Sequence, residues 1–172
     1  MLKSVRIPLI AIGAAAAGLL SPLGASAAPV GPYASLCAAG KPAVLVRVPR
    51  VKATRGTLSV KLYASNPATF LEKGKYLRKV EVPVNRSGPI DVCVPVPAAT
   101  GRYAVAVRHE VGGEKSRSDG GGFSGNPKLS LVDVALKRKP SLGAVSFEVR
   151  GRTRLVPVVL NYIQGTTVQP VS

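Results

Sequence analysis

Short runs in which apolar and polar residues alternate recur from residue 44 to residue 162. In the first run Val44, Val46 and Val48 share one face of the chain, and Arg47 lies on the other. A period of two residues is typical of a β-strand with one buried face. The runs cover 44–48, 58–62, 80–84, 90–96, 103–107, 145–149 and 156–162. Because Gly, Pro, Asn and Ser clusters separate them, they predict an all-β fold, an immunoglobulin-like or prealbumin-like antiparallel β-sandwich of about seven strands.

One short helical turn interrupts this pattern between the second and third runs. Asn66 is a favourable N-cap, Pro67 suits the first helical position, and Gly74 suits a C-terminal stop. Together they predict a helical turn over 67–73. We expect the side chain of Phe70 to cover an open end of the sandwich.

The first 27 residues have the three parts of a secretory signal peptide. Lys3 and Arg6 form a basic start, 7–20 is uncharged, and the small residues at 25–27 suit signal peptidase. A transmembrane anchor is the alternative, but the 14 uncharged residues fall short of the about 20 that a spanning helix needs. We expect cleavage near Ala27, no transmembrane span after processing, and a periplasmic or secreted mature protein.

These features divide the chain into four parts. They are a signal peptide at 1–27, an N-terminal extension at 28–43, a β-sandwich domain at 44–163 and a C-terminal tail at 164–172. Within the domain, the apolar positions of 129–136 shift from one face to the other. This segment is an eighth strand or a loop, and the pattern leaves both open.

Cys37 and Cys93 are the two cysteines of the chain. An even number in an exported protein predicts a disulfide, with two separately buried thiols as the alternative. Cys93 alternates with Val92 and Val94, so it lies on the outer face if those valines line the core. The disulfide would then tether 28–42 across the outer surface of a sheet.

Three segments in the second half of the chain have a distinctive order of residues. They are Gly-Arg-Tyr-Ala-Val-Ala-Val-Arg-His-Glu at 101–110, Gly-Phe-Ser at 122–124 with Asn126 close behind, and Pro-Ser-Leu-Gly-Ala-Val-Ser-Phe at 140–147. Together they resemble the bacterial exported family known as domain of unknown function family 2141, over about 44–163. The resemblance implies a compact β-sandwich exported by Gram-negative bacteria, in a family with no assigned activity.

The segment 110–119 departs from the pattern of that family, whose members have a run of Asn, Gly and Asp that looks like a calcium-binding loop. Here Val111 removes an oxygen ligand, and Lys115 adds positive charge. The carboxylates that remain are those of Glu110, Glu114 and Asp119. We therefore predict a solvated loop without a metal or a cofactor. The candidates for a functional role in this region are His109, Glu110, Asp119, Phe123, Ser124 and Asn126.

His109 is the single histidine, and it ends a predicted strand beside Glu110. A serine nucleophile would need this histidine and a third, orienting group, and Ser124 does not stand in a Gly-x-Ser-x-Gly turn. We predict that the protein is not an enzyme and has no catalytic residues. The alternative is a hydrolase or metal-dependent enzyme whose site combines His109 with the loop 110–126.

The chain is strongly basic, with 24 Lys and Arg residues against 8 Asp and Glu and a net charge of +16. Processing removes only Lys3 and Arg6 of these, which leaves the mature protein at +14. Such an excess attracts polyanions. The candidate anion-binding surface comprises Lys137, Arg138, Lys139, Arg150, Arg152 and Arg154.

The charge favours a small exported module of the cell envelope that binds a partner or has a structural role and is not an enzyme. We expect anionic envelope components or another envelope protein as its partners, through diffuse attraction and not through a pocket. Nucleic acid is not expected, because aromatic residues make up only 5% of the chain and no nucleic-acid-binding motif is present. The alternative interpretation is that the basic surface residues only keep the protein soluble.

Overall fold

Ten strands and three short helices make up the part of the chain that the computed structural model describes, residues 27–112 and 116–171. The predicted signal peptide lies outside this part except for Ala27. The helices are α1 (Ala34–Ala38), α2 (Leu131–Ala135) and α3 (Leu142–Val145). The strands are β1 (Ala43–Val48), β2 (Thr57–Ala64), β3 (Arg78–Pro83), β4 (Ile90–Pro95), β5 (Thr100–Glu110), β6 (Gly120–Phe123), β7 (Ser146–Arg150), β8 (Arg154–Pro157), β9 (Asn161–Gln164) and β10 (Thr167–Pro170).

The strands form two sheets, which confirms the predicted all-β sandwich. The small sheet has the order β4-β1-β8, and its β1 and β8 are parallel. The large sheet has the order β10-β9-β6-β5-β2-β3, with antiparallel pairing throughout. Strand β5 is long enough to pair with two strands along one edge, β7 over its first half and β6 over its second.

The core lies between the sheets and consists of the inward positions that the alternation predicts. Val44, Val46 and Val48 of β1 are fully buried, and so are Leu58, Val60 and Leu62 of β2. Burying each such side chain stabilises the fold by about 1.5–3 kcal/mol as an upper estimate. Burial of alternate residues therefore sets which side chains point outward and form the candidate sites.

The segment after β2 is a hydrogen-bonded turn and not the predicted helical turn over 67–73. The Asn66 carbonyl accepts from the backbone N–H groups of Thr69 and Phe70, while its side-chain oxygen accepts from Ala68. Leu71 has φ +60°, which prevents a helix from continuing. Phe70 packs with Tyr63 on the outer face of the large sheet, so the expectation that it covers an end of the sandwich was wrong.

Helix α2 occupies 131–135 of segment 129–136, for which the pattern left a strand and a loop open. Ser130 and Asp133 form a capping box, in which the Ser130 hydroxyl accepts from the Asp133 N–H and the Asp133 carboxylate accepts from the Ser130 N–H. These two hydrogen bonds satisfy backbone donors of the first turn. They stabilise a helix whose valines are largely exposed, with Val132 and Val134 55% and 43% accessible.

The last predicted run, 156–162, is divided between the two sheets. Its first residues end β8 in the small sheet, and its last residues begin β9 in the large sheet. The large sheet also continues beyond 163, since β10 lies within the predicted tail and pairs with β9. Strand β6 lies within the predicted loop 110–126.

The N-terminal extension crosses the outer face of the small sheet over β1 and β4, as predicted. Cys37 of α1 and Cys93 of β4 form the disulfide, with their Cα atoms 5.9 Å apart. Val30 pairs with Val92 at the edge of β4. None of the helices in the described part of the chain is long and apolar enough to cross a membrane.

Candidate functional site

His109 lies in the core between the sheets and not on a loop surface. It follows Val105 and Val107 on the inward face of β5 and is fully buried. Its Nε2 lies 2.8 Å from the Arg55 carbonyl oxygen and its Nδ1 lies 2.7 Å from the Tyr162 hydroxyl. Because a carbonyl only accepts, we assign the proton to Nε2, and Nδ1 then accepts from Tyr162. Both ring nitrogens thus hold β5 to β9 and to the segment before β2.

Ser124 and Asn126 also hold parts of the fold together. The buried Ser124 hydroxyl accepts from the Val105 N–H and donates to the Val145 carbonyl. The Asn126 side chain accepts from the Val159 N–H and donates to the Pro157 carbonyl. The structure therefore does not bring these two residues together with His109.

Glu110 and Asp119 both pair with Arg108, which points outward from β5. The Asp119 carboxylate lies 2.6 Å from Nη2 of Arg108, and the Glu110 carboxylate lies 3.5 Å from its Nε. Burial raises the pKa of Asp119, but hydrogen bonds from Arg108, Ser116 and the Val111 N–H outweigh burial and hold that pKa at about 2. The carboxylates that a calcium loop would use therefore bind a guanidinium.

Glu114, the third carboxylate of that loop, lies outside the described residues. Within the described part, no three side chains of His, Cys, Asp or Glu come together in a way that could hold a metal ion. Asp119 and Phe123 line a groove of about 470 Å³ on the outer face of the large sheet, together with Arg108.

Three residues of the predicted anion-binding surface gather on one concave surface of about 490 Å³, where the chain passes from β7 to β8. We call this surface the arginine concavity, and its basic residues are Arg102, Arg150, Arg152 and Arg154. Glu148 is its single acidic lining residue and accepts from Arg150. Hydrogen bonds and the positive charge of Arg150 lower the pKa of Glu148, with Arg102 adding to the effect.

Arg102 belongs to this surface although it is not among the six predicted residues. It lies opposite Glu148 in the pairing of β5 with β7. Its outward position could be read from the alternation of β5, because Tyr103 and Val105 point inward. The alternation does not predict that β5 pairs with β7, a strand more than 40 residues away along the chain.

The other three residues of the predicted surface lie elsewhere. Lys137, Arg138 and Lys139 line a smaller cavity of about 360 Å³ beside α2. Arg138 pairs with Asp133 at 3.7 Å, and Lys139 pairs with Glu72. The six predicted residues therefore form two surfaces, of which the arginine concavity has the smaller share of carboxylates.

Comparison with known proteins gives one match. The family described as uncharacterized protein conserved in bacteria (DUF2141) matches residues 46–156, more than half of the chain. No curated protein and no solved structure matches. The family match confirms the resemblance of the 101–110, 122–126 and 140–147 segments. The chain belongs to the DUF2141 family of uncharacterized bacterial proteins.

Proposed function

We propose that the protein is a non-catalytic binding module of the cell envelope, which holds acidic polymers at the arginine concavity. The observation that carries this proposal is the gathering of four arginines around a single carboxylate, that of Glu148. The guanidinium group presents donors in a planar fork that matches phosphate, sulfate and carboxylate groups. A phosphorylated or carboxylated envelope polymer offers such groups at regular spacing.

Export places the protein where these polymers occur. The basic start, uncharged run and small residues of 1–27 support a cleaved signal peptide. The Cys37–Cys93 disulfide supports an oxidising compartment. N-terminal sequencing of protein from the periplasm should return Ala28 as the first residue, whereas Met1 would contradict processing.

A non-catalytic role agrees with the positions of the polar residues near β5. The imidazole of His109 has both nitrogens engaged inside the core, and the Ser124 hydroxyl is bonded to backbone. Neither group is free to take a proton from a substrate at the surface.

The arginine concavity is exposed, so its attraction for a polymer depends on salt. Charges separated by more than the Debye length, about 10 Å at 0.1 M salt and about 3 Å at 1 M, are screened from one another. Affinity for a polyanion should therefore fall steeply over this range. The proposal thus adds a local site to the diffuse attraction that the sequence predicts. That attraction comes from the rest of the basic surface and does not depend on any single residue.

Two triple variants with equal charge separate the concavity from the general surface. The first replaces Arg102, Arg152 and Arg154 with Ala, and the control replaces the exposed residues Arg50, Arg55 and Arg86. Binding to purified lipopolysaccharide at 0.1 M salt should weaken about tenfold or more in the first variant, about 1.4 kcal/mol, because it removes charge-assisted hydrogen bonds. The control should lose only about threefold, since it changes long-range attraction alone. Equal losses would reject the concavity as the binding site.

A further inference from the structure

A groove on the outer face of the large sheet, which we call the sheet groove, lies apart from the arginine concavity. It runs over β2, β5, β6, β9 and β10 and encloses about 470 Å³. It shares the side chains of Leu71, Phe123, Leu129 and Val134 with the smaller cavity beside α2. Its volume lies in the range of about 300–1,000 Å³ that is usual for small-molecule sites.

The floor of the sheet groove is open because Gly121 has no side chain. The neighbouring Gly120 and Gly122 face the core, where a Cβ atom would collide at 2.4 Å with the Tyr162 ring and with the Val159 carbonyl, respectively. A Cβ atom on Gly121 would meet only the Val107 carbonyl, at 3.8 Å. Packing therefore requires glycine at 120 and 122 but leaves space for a larger residue at 121. The space above Gly121 is available to a ligand.

Two residues that line this floor each have a buried side-chain polar atom without a hydrogen-bond partner. These atoms are Oγ of Ser59 and Nε of Arg108, the two buried side-chain polar atoms without a hydrogen-bond partner in the described part of the chain. Ser59 is 3% exposed and lies directly opposite Arg108 in the pairing of β2 with β5. A buried polar group without a partner is costly. A ligand oxygen at this point would accept from both donors.

The Arg108 guanidinium has donors to spare. Its hydrogen bond in the described structure runs from Nη2 to Asp119, and Glu110 is an ion-pair partner at 3.5 Å from Nε. Guanidinium has five N–H donors. An oxygen beside Ser59 can therefore bind Arg108 without replacing Asp119.

Apolar side chains and excess positive charge surround this polar point. Leu71, Phe123 and Val134 form apolar walls, and Val134 is 43% exposed. The charged residues that line the sheet groove and the adjoining cavity are five basic ones, Lys61, Arg108, Lys137, Arg138 and Lys139, and two acidic ones, Asp119 and Asp133. Among the described residues, Lys61 and Lys137 have no carboxylate partner. The combination favours an anion with an apolar body.

We infer that the sheet groove binds a single-chain anionic amphiphile of the alkyl carboxylate class. The carboxylate meets Ser59 and Arg108, and the alkyl chain lies over Gly121 against Phe123 and Leu71. This ligand supplies a hydrogen-bond acceptor to the two donors that lack one and covers the exposed apolar walls at the same time. It also matches the positive charge around the groove, which a cationic or zwitterionic amphiphile would not.

The test compares decanoate with decyltrimethylammonium, which has the same chain length and the opposite charge, by calorimetry on the disulfide-bonded protein below the micellar concentration of both. Decanoate should bind with one site per chain, and the cation should bind about tenfold more weakly or not at all. Absence of decanoate binding overturns the proposal. Equal affinity for both compounds overturns it as well, because an unspecific apolar patch would then explain the binding.

Gly121→Leu fills the groove and locates the site. Decanoate affinity should fall about tenfold or more, because excluding two methylene groups of the chain removes that much affinity. The matched control is Gly88→Leu, at a position with no atom within 4 Å of a Cβ, which should bind decanoate as the unchanged protein does. Circular dichroism of both variants checks that the fold is intact.

Ser59→Ala tests the polar end of the site separately from the apolar end. Removing this donor should weaken decanoate binding about tenfold, the value of a charge-assisted hydrogen bond. Unchanged decanoate affinity in both Ser59→Ala and Gly121→Leu overturns the assignment of the site. Binding to anionic vesicles in place of monomeric decanoate would identify a membrane surface as the partner, and self-association abolished by Gly121→Leu would identify a second copy. Either result rejects the amphiphile.

Discussion

The outer face of the small sheet is covered over β1 and β4 and its buried polar groups have partners, whereas the outer face of the large sheet is open and retains two buried polar atoms without a hydrogen bond. On the small sheet the disulfide holds α1 over β1 and β4. On the large sheet Ser59 and Arg108 each have a buried polar atom without a hydrogen-bond partner. Both faces belong to one sandwich and are built by the same alternation. The difference lies in what covers them.

The covered face is organised around an ion pair beneath the N-terminal extension. Arg47 and Asp91 lie opposite each other in β1 and β4, with two hydrogen bonds of 2.8 Å and 2.7 Å. Asp91 is fully buried, and its carbonyl also accepts from the Val30 N–H. The pairing raises the pKa of Arg47. Such a face needs no further partner.

The open face has the opposite character. Gly121 leaves its floor bare, and Val134 leaves an apolar wall exposed. Folding alone does not account for polar and apolar groups left unsatisfied side by side. The covered face therefore contributes stability, and the open face is the candidate for binding a ligand.

Removal of the disulfide should have the largest effect on the stability of the covered face. Replacing Cys37 and Cys93 with Ala should lower the free energy of unfolding by up to about 4 kcal/mol, because the bridge closes a long loop in the unfolded chain. Urea denaturation measures this loss. A reductant should destabilise the unchanged protein by a similar amount and leave the double variant unaffected. If a reductant also destabilises the double variant, the loss of stability has a cause other than the disulfide.

Asp91→Asn should have the next largest effect, since it removes the charged partner of Arg47 and leaves the size of the side chain. We expect a loss of about 2–3 kcal/mol of unfolding free energy, less than for a wholly buried pair because the Arg47 side chain is 28% exposed. Replacing Arg47 and Asp91 together with Leu should restore most of the stability. A single substitution that costs under about 0.5 kcal/mol would show that the pair is dispensable.

Acid should lower the free energy of unfolding by protonating Asp119, whose carboxylate accepts hydrogen bonds from the loop beside the sheet groove. The pKa of Asp119 is about 2 in the folded chain and about 3.9 in an unfolded one, so its contribution is complete above about pH 5 and is lost as the pH falls toward 2. Asp119→Asn should therefore lower the free energy of unfolding by about 1–2 kcal/mol at pH 6. The gap to the unchanged protein should narrow at pH 2. A gap that stays constant with pH would exclude the ion pair with Arg108 as its source.

Much of the fold could be predicted from the alternation of apolar and polar residues. The same alternation predicts some features of the candidate sites. The inward valines of β1 and the outward Cys93 followed from the period of two, as did the tether across the small sheet. His109 has the same parity as Val105 and Val107, so its burial could also have been read from the sequence. Its polar nature directed attention to the surface instead.

Other features have little signal in a hydrophobic pattern. Strand β6 begins with three glycines, which have no side chains to alternate. Helix α2 shows its capping box in Ser130 and Asp133, but its exposed valines obscure any buried face. The arginine concavity and the sheet groove both depend on distant strands meeting across β5, which local spacing does not determine.

The smallest expected effect concerns Ser59 on the open face, which we compare with Ser124, a second buried serine whose hydroxyl is hydrogen-bonded. Ser124→Ala removes a hydroxyl that is bonded to Val105 and Val145, and it should cost about 1–2 kcal/mol of unfolding free energy. Ser59→Ala removes a hydroxyl that has no partner, so it should cost less than about 0.5 kcal/mol or should stabilise the protein. Urea denaturation of both variants at one pH provides the comparison. If Ser59→Ala is as costly as Ser124→Ala, the Ser59 hydroxyl supports the fold. If Ser59→Ala leaves stability intact and weakens decanoate binding, the hydroxyl serves the ligand.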